Sequence, residues 1–376
     1  MTENWLHAQL KNLRRYRPVV YCHDTENLPV FPLDKVRSLD LKRGSRNPEV
    51  FLNRAGRKVL GCYPAFALAA RIDRACIIHA HFGPSGFEAI GLKRLLGIPV
   101  LTSFYGYDLG ALFDWAPEWK KRYEVLFERG DMFVVEGAHM KSVLAGLGCE
   151  RGKIVVNHLG VDLDSLPCQL RKPPPDGTVR VLAAASFREK KGLPYAVEAF
   201  GMARAASSSL DMSMTIIGGS RGVDADEKER EKVLEAIRHY GLEDCVRLLG
   251  YQPYEIFRKA LYDHHIFIAP SVAASDGDIE GGAPVAIIEA SASGMPVIST
   301  WHCDIPEVVI DGESGYLVPE RDAEALAACL ADLASDPSRW VVMGRHGREH
   351  IEKHYDARHQ AEKLEGIYDS VLYGGA

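Results

Sequence analysis

Two glutamates, Glu280 and Glu289, bracket a Gly-Gly-Ala-Pro-Val turn and a short apolar run in a chain of 376 residues. Gly281 and Gly282 remove side chains just ahead of Ala283, Pro284 and Val285, and Pro284 suits a first helical turn. Backbone N–H groups at the positive end of that helix are then open to an anion or a polyhydroxylated ring. Glu289 falls about one turn into the helix, among Ile287, Ile288 and Ala290. A buried carboxylate needs donors. The vicinal hydroxyls of a ribose offer two at matching spacing, and backbone or neighbouring side-chain donors would satisfy it as well. A second stretch, "FREKKGLPYAVEAF", sets Arg188, Lys190 and Lys191 before Gly192 and a helix. Full charges and N–H dipoles add at such a loop, which suits a phosphate, although a solvated basic turn has the same composition. Both stretches on one domain point to a nucleotide-diphosphate site.

The elements that would hold these residues alternate short Val- and Ile-rich runs with segments of helical period, the pattern of parallel strands and crossover helices. In the first half the strands are "CIIHAHF", "PVLTSF", "DMFVVE" and "KIVVNH". In the second they are "VRVLAAAS", "MSMTIIGG", "CVRLLG", "IFIAPS", "MPVIST" and "GYLV". Polar residues cluster at their carboxyl ends: His79, His81, Ser103, Glu136, Ser186 and Ser271. The predicted fold is α/β, two tandem Rossmann-like domains with an interdomain cleft. The first domain takes residues 1–165, a proline-rich linker 166–177, and the second domain 178–356. Residues 357–376 form a helix returning to the first domain.

Hydrophobic residues make up 47% and charged residues 26%, a globular composition. No apolar run is long enough to span a membrane and the start lacks the apolar centre of a signal peptide, so a cytoplasmic protein is expected. Eight cysteines without a CxxC pair argue against a disulfide framework or a zinc site. Residues 1–165 hold 23 Lys and Arg against 18 Asp and Glu, and the remainder 22 against 33. The basicity of the first half lacks interleaved aromatics or a recognisable module, which excludes nucleic acid as the expected partner. Trp5, Leu6, Leu10 and Leu13 stand opposite Lys11, Arg14 and Arg15. This amphipathic start either lies peripherally on an anionic inner membrane or packs on the first sheet.

"FREKKGLPYAVEAF", "VRLLGYQPYEIFRKALYDHHIFIAPS", "DIEGGAPVAIIEASASGMPVIST" and "IPEVVIDGESGYLVP" together resemble the carboxyl-terminal half of the retaining family 4 glycosyltransferases, which have the GT-B fold. "HAHFGPSG" and "TSFYGYDL" resemble acceptor-side loops of members that build exopolysaccharides. The resemblance implies transfer of a sugar from a nucleotide-diphosphate donor to a hydroxyl of a glycan, lipid-linked or small-molecule acceptor. Glu289 would hold the ribose, Glu280 the donor sugar, and Gly282 to Val285 the sugar hydroxyls. Lys191 would neutralise the diphosphate, and Gly250 and Tyr251 would lie against the base. Retention would come from a same-face substitution in which the departing diphosphate takes the acceptor's proton, a scheme that needs no metal and no cofactor.

Four departures stand out. Eight residues separate Glu280 from Glu289 where the family has seven. Ala185 and Ser186 occupy the place of a family Gly-Arg, so Arg188 is expected to supply part of that charge and Ser186 to contact the donor. Tyr105 replaces a family histidine before Gly-x-Asp, leaving His81 or His79 to take its role. The amino terminus lacks the usual opening strand and glycine-rich turn, so either that strand lies outside the chain or the first sheet is small. Asp276 and Asp278, in "DGD", read as turn acids and not as a metal site. Competing readings are a degenerate GT-B partner that binds nucleotide sugar without transfer, and a GT-B epimerase. A nicotinamide enzyme is disfavoured, since no G-x-G-x-x-G follows the first strand.

Overall fold

The computed structural model describes residues 4–26, 28–29, 31–44, 47–206 and 211–374. The chain forms two compact units, one made of Val161–Asp356 and the other of the residues up to Gly160 together with those from Ala357 onward.

The amino-terminal unit opens with α1 (Asn4–Asn12), then β1 (Val20–Cys22) and β2 (Val36–Ser38), which pair with each other in a separate parallel ribbon. Helices α2 (Pro48–Leu60) and α3 (Pro64–Ile72) follow. The main sheet is parallel and runs in sequence order: β3 (Ile78–His81), β4 (Val100–Ser103), β5 (Met132–Val135) and β6 (Ile154–Val156). Its crossovers carry α4 (Gly83–Leu96), α5 (Leu112–Trp115), α6 (Trp119–Arg129) and α7 (Ala138–Gly146). Aromatic packing around Phe104, Tyr123, Phe127 and Phe133 fills the layer between sheet and helices.

The carboxyl-terminal unit is a six-stranded parallel sheet in the order β12-β11-β10-β7-β8-β9. The strands are β7 (Val179–Ala184), β8 (Met212–Ile217), β9 (Val246–Leu248), β10 (Ile266–Ala269), β11 (Val297–Thr300) and β12 (Gly315–Val318). Its helices are α8 (Leu193–Ala206), α9 (Asp224–Tyr240), α10 (Tyr254–Asp263), α11 (Val285–Ala292), α12 (Ala323–Ser335) and α13 (Ser338–His354). Because helices cover both faces, β7 and β10 are nearly all apolar and buried, which is why they read as continuous runs. The strand order reverses between β7 and β10, and the loops after these two strands open where a doubly wound sheet takes its ligand.

The stretch 166–177, expected to be a linker, packs into the carboxyl-terminal unit. Leu166 and Arg171 are buried, and Gln169 N–H donates to Ser293 O. The three prolines stop a helix or central strand but do not prevent burial of the residues before them.

The last helix, α14 (Ala357–Tyr373), belongs to the amino-terminal unit. Leu364 and Tyr368 pack with Leu101 and Val134, and Leu13 and Tyr16 close over them. Glu365 accepts the N–H groups of Arg14 and Arg15 and pairs with the Arg15 guanidinium. Trp5 is buried as well. Of the two placements expected for the amphipathic start, its apolar side takes the one inside the protein, packed with α14 and the first sheet. Among the described residues no helix is long and apolar enough to cross a membrane.

Candidate functional site

The loop after β7 meets the loop after β10 at the point where the strand order reverses and the loop after β8 on its other side, and each of the two contacts depends on a glycine. Gly192 has φ +61, and a Cβ there would stand 1.9 Å from the carbonyl oxygen of Pro270. Gly218 has φ +128, and a Cβ there would meet Ala185 O at 1.9 Å. Gly192→Ala combines a left-handed backbone with a clash against main chain, and is expected to cost about 2–5 kcal/mol. Equilibrium denaturation reads this, and an unchanged midpoint would show that the two loops separate at little cost.

On this frame Lys191 and Glu280 come together, the ammonium 2.7 Å from Oε2 of a carboxylate that is 5% exposed. Ser271 Oγ donates to the other oxygen, Oε1, at 2.8 Å. Burial alone would push the Glu280 pKa up. Lys191, Lys190 and the two side-chain hydrogen bonds outweigh it and bring the pKa to about 2. Glu280 is thus a fixed anion with both oxygens engaged. Its own N–H donates to His302 Nε2 at 3.2 Å, and His302 Nδ1 lies 2.7 Å from Glu320. Glu320 also accepts from Ala273 N–H, so one His-carboxylate relay braces both ends of the loop after β10.

Sequence reasoning grouped Arg188, Lys190 and Lys191 as one cationic loop, and the structure divides them. Lys190 is buried, its ammonium donating to Ile279 O at 2.7 Å and to Asp278 at 3.1 Å. Arg188 pairs with the other oxygen of Asp278. Asp278 is buried, not a solvated turn acid, and Arg188, expected to bring charge to the donor, pairs with it. The reason is local: Gly277 turns the loop back with φ +75, carrying Asp278 under the basic turn. Among the described residues no group of His, Cys, Asp or Glu is arranged to hold a metal ion.

Gly281 takes φ +79 and sends the chain into α11, whose first residue is Val285 with Pro284 as its cap. No side chain caps α11, so its first N–H groups lie beside a hollow lined by Lys191, Ser271, Pro284 and Ala286. One turn on, Glu289 is buried and accepts a hydrogen bond from Tyr254 OH at 2.6 Å through Oε1. Burial pushes its pKa up to about 7, against the pull of the Tyr254 hydroxyl and Arg258. Tyr254 was missed in the sequence, where only its place three residues after Tyr251 hinted at it. Ser186 lies half-buried just past β7. Gly250 has φ +68 and its carbonyl accepts from Gly218 N–H, and the exposed Tyr251 ring lies beside Gly219.

His81 and Tyr105 lie in the amino-terminal unit at the carboxyl ends of β3 and β4. His81 Nδ1 is 2.6 Å from Tyr105 OH, and the Trp5 ring packs on Tyr105 with centroids 4.5 Å apart. Burial lowers the His81 pKa to about 4, so it is neutral at pH 7. His79 bonds Tyr368 OH and Ser103 Oγ, both at 2.7 Å, and is thereby fully engaged. The aspartate of Gly-x-Asp, Asp108, is buried and accepts the N–H groups of Tyr105 and Gly83, which fixes the Tyr105 loop to the start of α4.

The family model described as "Glycosyltransferase Family 4" matches residues 4–165, and "Glycosyl transferases group 1" matches 178–336. The colanic acid biosynthesis glycosyltransferase WcaL of Escherichia coli is 35% identical over 289 residues, 75% of this chain and 68% of the relative. The amylovoran biosynthesis glycosyltransferase AmsK of Erwinia amylovora is 35% identical over 299 residues, 78% of this chain and 70% of the relative. The WcaL of Salmonella typhimurium is matched over 64% of its own length, less than two thirds. A solved glycosyltransferase from Rickettsia africae superposes with TM-score 0.76 at 18% identity, over 100% of this chain and 97% of that one. HepE of Anabaena, solved with UDP and glucose, superposes with TM-score 0.74 at 14% identity, over 98% and 95%. These likenesses carry the fold, GT-B with two α/β units.

Proposed function

Since the chain belongs to the family 4, group 1 glycosyltransferases, we propose that it moves a sugar, with retention, from a nucleotide-diphosphate donor to a hydroxyl of a glycan or lipid-linked acceptor during exopolysaccharide synthesis. One observation carries the reading: Lys191 and Glu280 meet beside the uncapped start of α11, with Glu289 buried one turn further along. The lysine and the helix N–H groups offer positive charge to a leaving diphosphate, while Glu280 and the glycine turn offer acceptors and donors to a sugar ring.

A double displacement would ask a carboxylate to act as nucleophile and an acid to protonate the leaving group. Glu280 suits neither role. As a nucleophile it would have to leave the hydrogen bonds that Lys191 and Ser271 make to its two oxygens, and with a pKa of about 2 it holds no proton to give the leaving group. This favours a same-face substitution. The C–O bond to the diphosphate breaks, its electron pair leaves with the phosphate oxygen, and that oxygen takes the acceptor's proton as the new C–O bond forms. Positive charge for the leaving group comes from Lys191 and the backbone, so turnover is expected to be insensitive to chelator. A chelator-sensitive rate restored by a divalent ion would reverse that.

Thermal shift against UDP, GDP, ADP, TDP and their sugars tests the donor class. A nucleotide at a hundredfold excess over Kd adds about 2.7 kcal/mol of stability, and Glu289→Ala should remove the effect. Binding without transfer or hydrolysis would favour a partner subunit instead. Glu289 also gives a pH signature. If only its ionised form receives the ribose hydroxyls, a folded pKa of about 7 makes Kd fall about tenfold from pH 6 to pH 8. Glu289→Gln should flatten that slope. In the free protein the sign is opposite, because a raised carboxyl pKa stabilises below the unfolded value and loses that stability as pH rises through 7.

A further inference from the structure

We propose that His302 positions Glu280 for the donor sugar, by taking the Glu280 main-chain N–H on an imidazole nitrogen that Glu320 and Cys303 hold in place. This role rests on the reading of the site as a donor site. His302 follows β11 and is 3% exposed. Its Nδ1 lies 2.7 Å from Glu320 Oε1, and its Nε2 lies 3.2 Å from the Glu280 nitrogen. A carboxylate can only accept and a main-chain N–H can only donate. Burial works against the charge on Glu320, but the hydrogen bonds from Ala273 N–H and His302 outweigh it and lower its pKa, so it stays a carboxylate. The two partners therefore fix the ring, with the hydrogen on Nδ1 and Nε2 left as the acceptor. A hydrogen on Nε2 would set one N–H against another in a buried space.

Cys303 bears on the same nitrogen, its Sγ 3.1 Å from His302 Nε2. The chain takes a left-handed backbone there, φ +48, a region unfavourable for a residue with a Cβ. Burial pushes the thiol up to about 12, against the N–H groups of Gly281 and Glu280 that approach the sulfur, so it keeps a hydrogen to donate to Nε2. From the other side, Glu320 accepts Ala273 N–H and Arg321 donates to Ala273 O at 2.6 Å, which anchors the acid that orients the ring. Glu280 and Gly281 thus turn their N–H groups inward, while the Glu280 carboxylate leaves the same residue toward Lys191 and Ser271. The N–H groups beside the hollow are those that follow, at the start of α11. Without the Nε2 acceptor the Glu280 N–H would lose its partner and the turn would shift to find another. The carboxylate would move with it, away from the sugar ring, while Glu289 on α11 would keep its place.

The test compares two affinities and one amide. The probes are UDP, GDP, ADP and TDP, alone and as their glucose, galactose and mannose conjugates, titrated against the full chain. His302→Leu should weaken the best-bound conjugate roughly tenfold and leave its free nucleoside diphosphate within about twofold. Hydrogen exchange resolved at the Glu280 amide should speed up in the same variant, with or without ligand. His302→Gln places an amide oxygen near the position of Nε2, and should restore both the protection and the affinity to within about threefold. Should His302→Leu fail to fold, Glu320→Leu leaves the ring in place but frees its tautomer, and should give the same pattern in milder form. Equal losses for conjugate and free nucleotide would make His302 a residue of the fold only and overturn the proposal. So would unaltered exchange at Glu280, or a glutamine variant that folds and rescues neither property. If none of the probes binds the unaltered chain, the donor reading falls and this role with it; if they bind and the ratio of affinities does not move, only this role falls.

Discussion

Lys191→Ala should lower the turnover of sugar transfer by roughly 10²–10³-fold, the loss typical of removing one preorganised group that meets charge developing in a transition state. The effect should be larger on kcat than on the KM for the donor, since the diphosphate gains charge as it departs. The substitution also strips Glu280 of its closest cation. Lys190 remains 3.9 Å away, so the carboxyl pKa should rise from about 2. A buried carboxylate with a missing partner destabilises the loop. The double variant Lys191→Ala with Glu280→Gln separates the two consequences. It should recover much of the stability, because the orphaned charge is gone, without recovering turnover. A single variant with near-normal kcat would remove Lys191 from the chemistry. Recovery of turnover in the double variant would make the pair a structural ion pair only.

Arg171→Met should cost about 3–5 kcal/mol, the largest stability effect expected from a residue remote from the donor site. The guanidinium is 2% exposed. It donates to the carbonyl oxygens of Gln169, Leu261, His264 and Ser293 and to the Ser293 hydroxyl. Its cation stacks over the Tyr262 ring, 5.7 Å from the centroid. Burial pulls its pKa down to about 10, so it stays charged at neutral pH and depends on those oxygens for solvation. Methionine fills the space and leaves the carbonyls without donors. Arg171→Lys should rescue little, because a single ammonium cannot fork to acceptors on three segments. In a unit of this size the melting temperature should drop on the order of 10 °C. A shift of a degree or two would mean that water reaches the carbonyls.

The strands of both units were legible in the sequence because parallel strands buried on both faces must be apolar throughout, and each run ends in turn residues. The ribbon strand β2 was not, since Val36–Ser38 is three half-buried residues with a central arginine. Among the site residues, Glu280, Lys191, Gly281 and Glu289 could be picked out by type and spacing. A carboxylate in an apolar helix and a lysine before a glycine are chemically conspicuous along one dimension.

What residue type could not decide was which partner each charge takes. Arg188, Lys190 and Lys191 look alike in a row, yet only the approach of the loop after β10 assigns the first two to Asp278 and leaves Lys191 with Glu280. The same holds for Arg171, which composition placed in a linker and packing placed in a core. The amphipathic start read equally as a membrane-surface helix or one packed on the first sheet, and only the contact with α14, far away in sequence, places its apolar side inside the protein. Local propensity and periodicity therefore determined the elements and the candidate chemistry. Partner choice among like charges and exposed faces is set by contacts between distant segments, whose energies depend on three-dimensional distance and burial, and only the tertiary structure decided it.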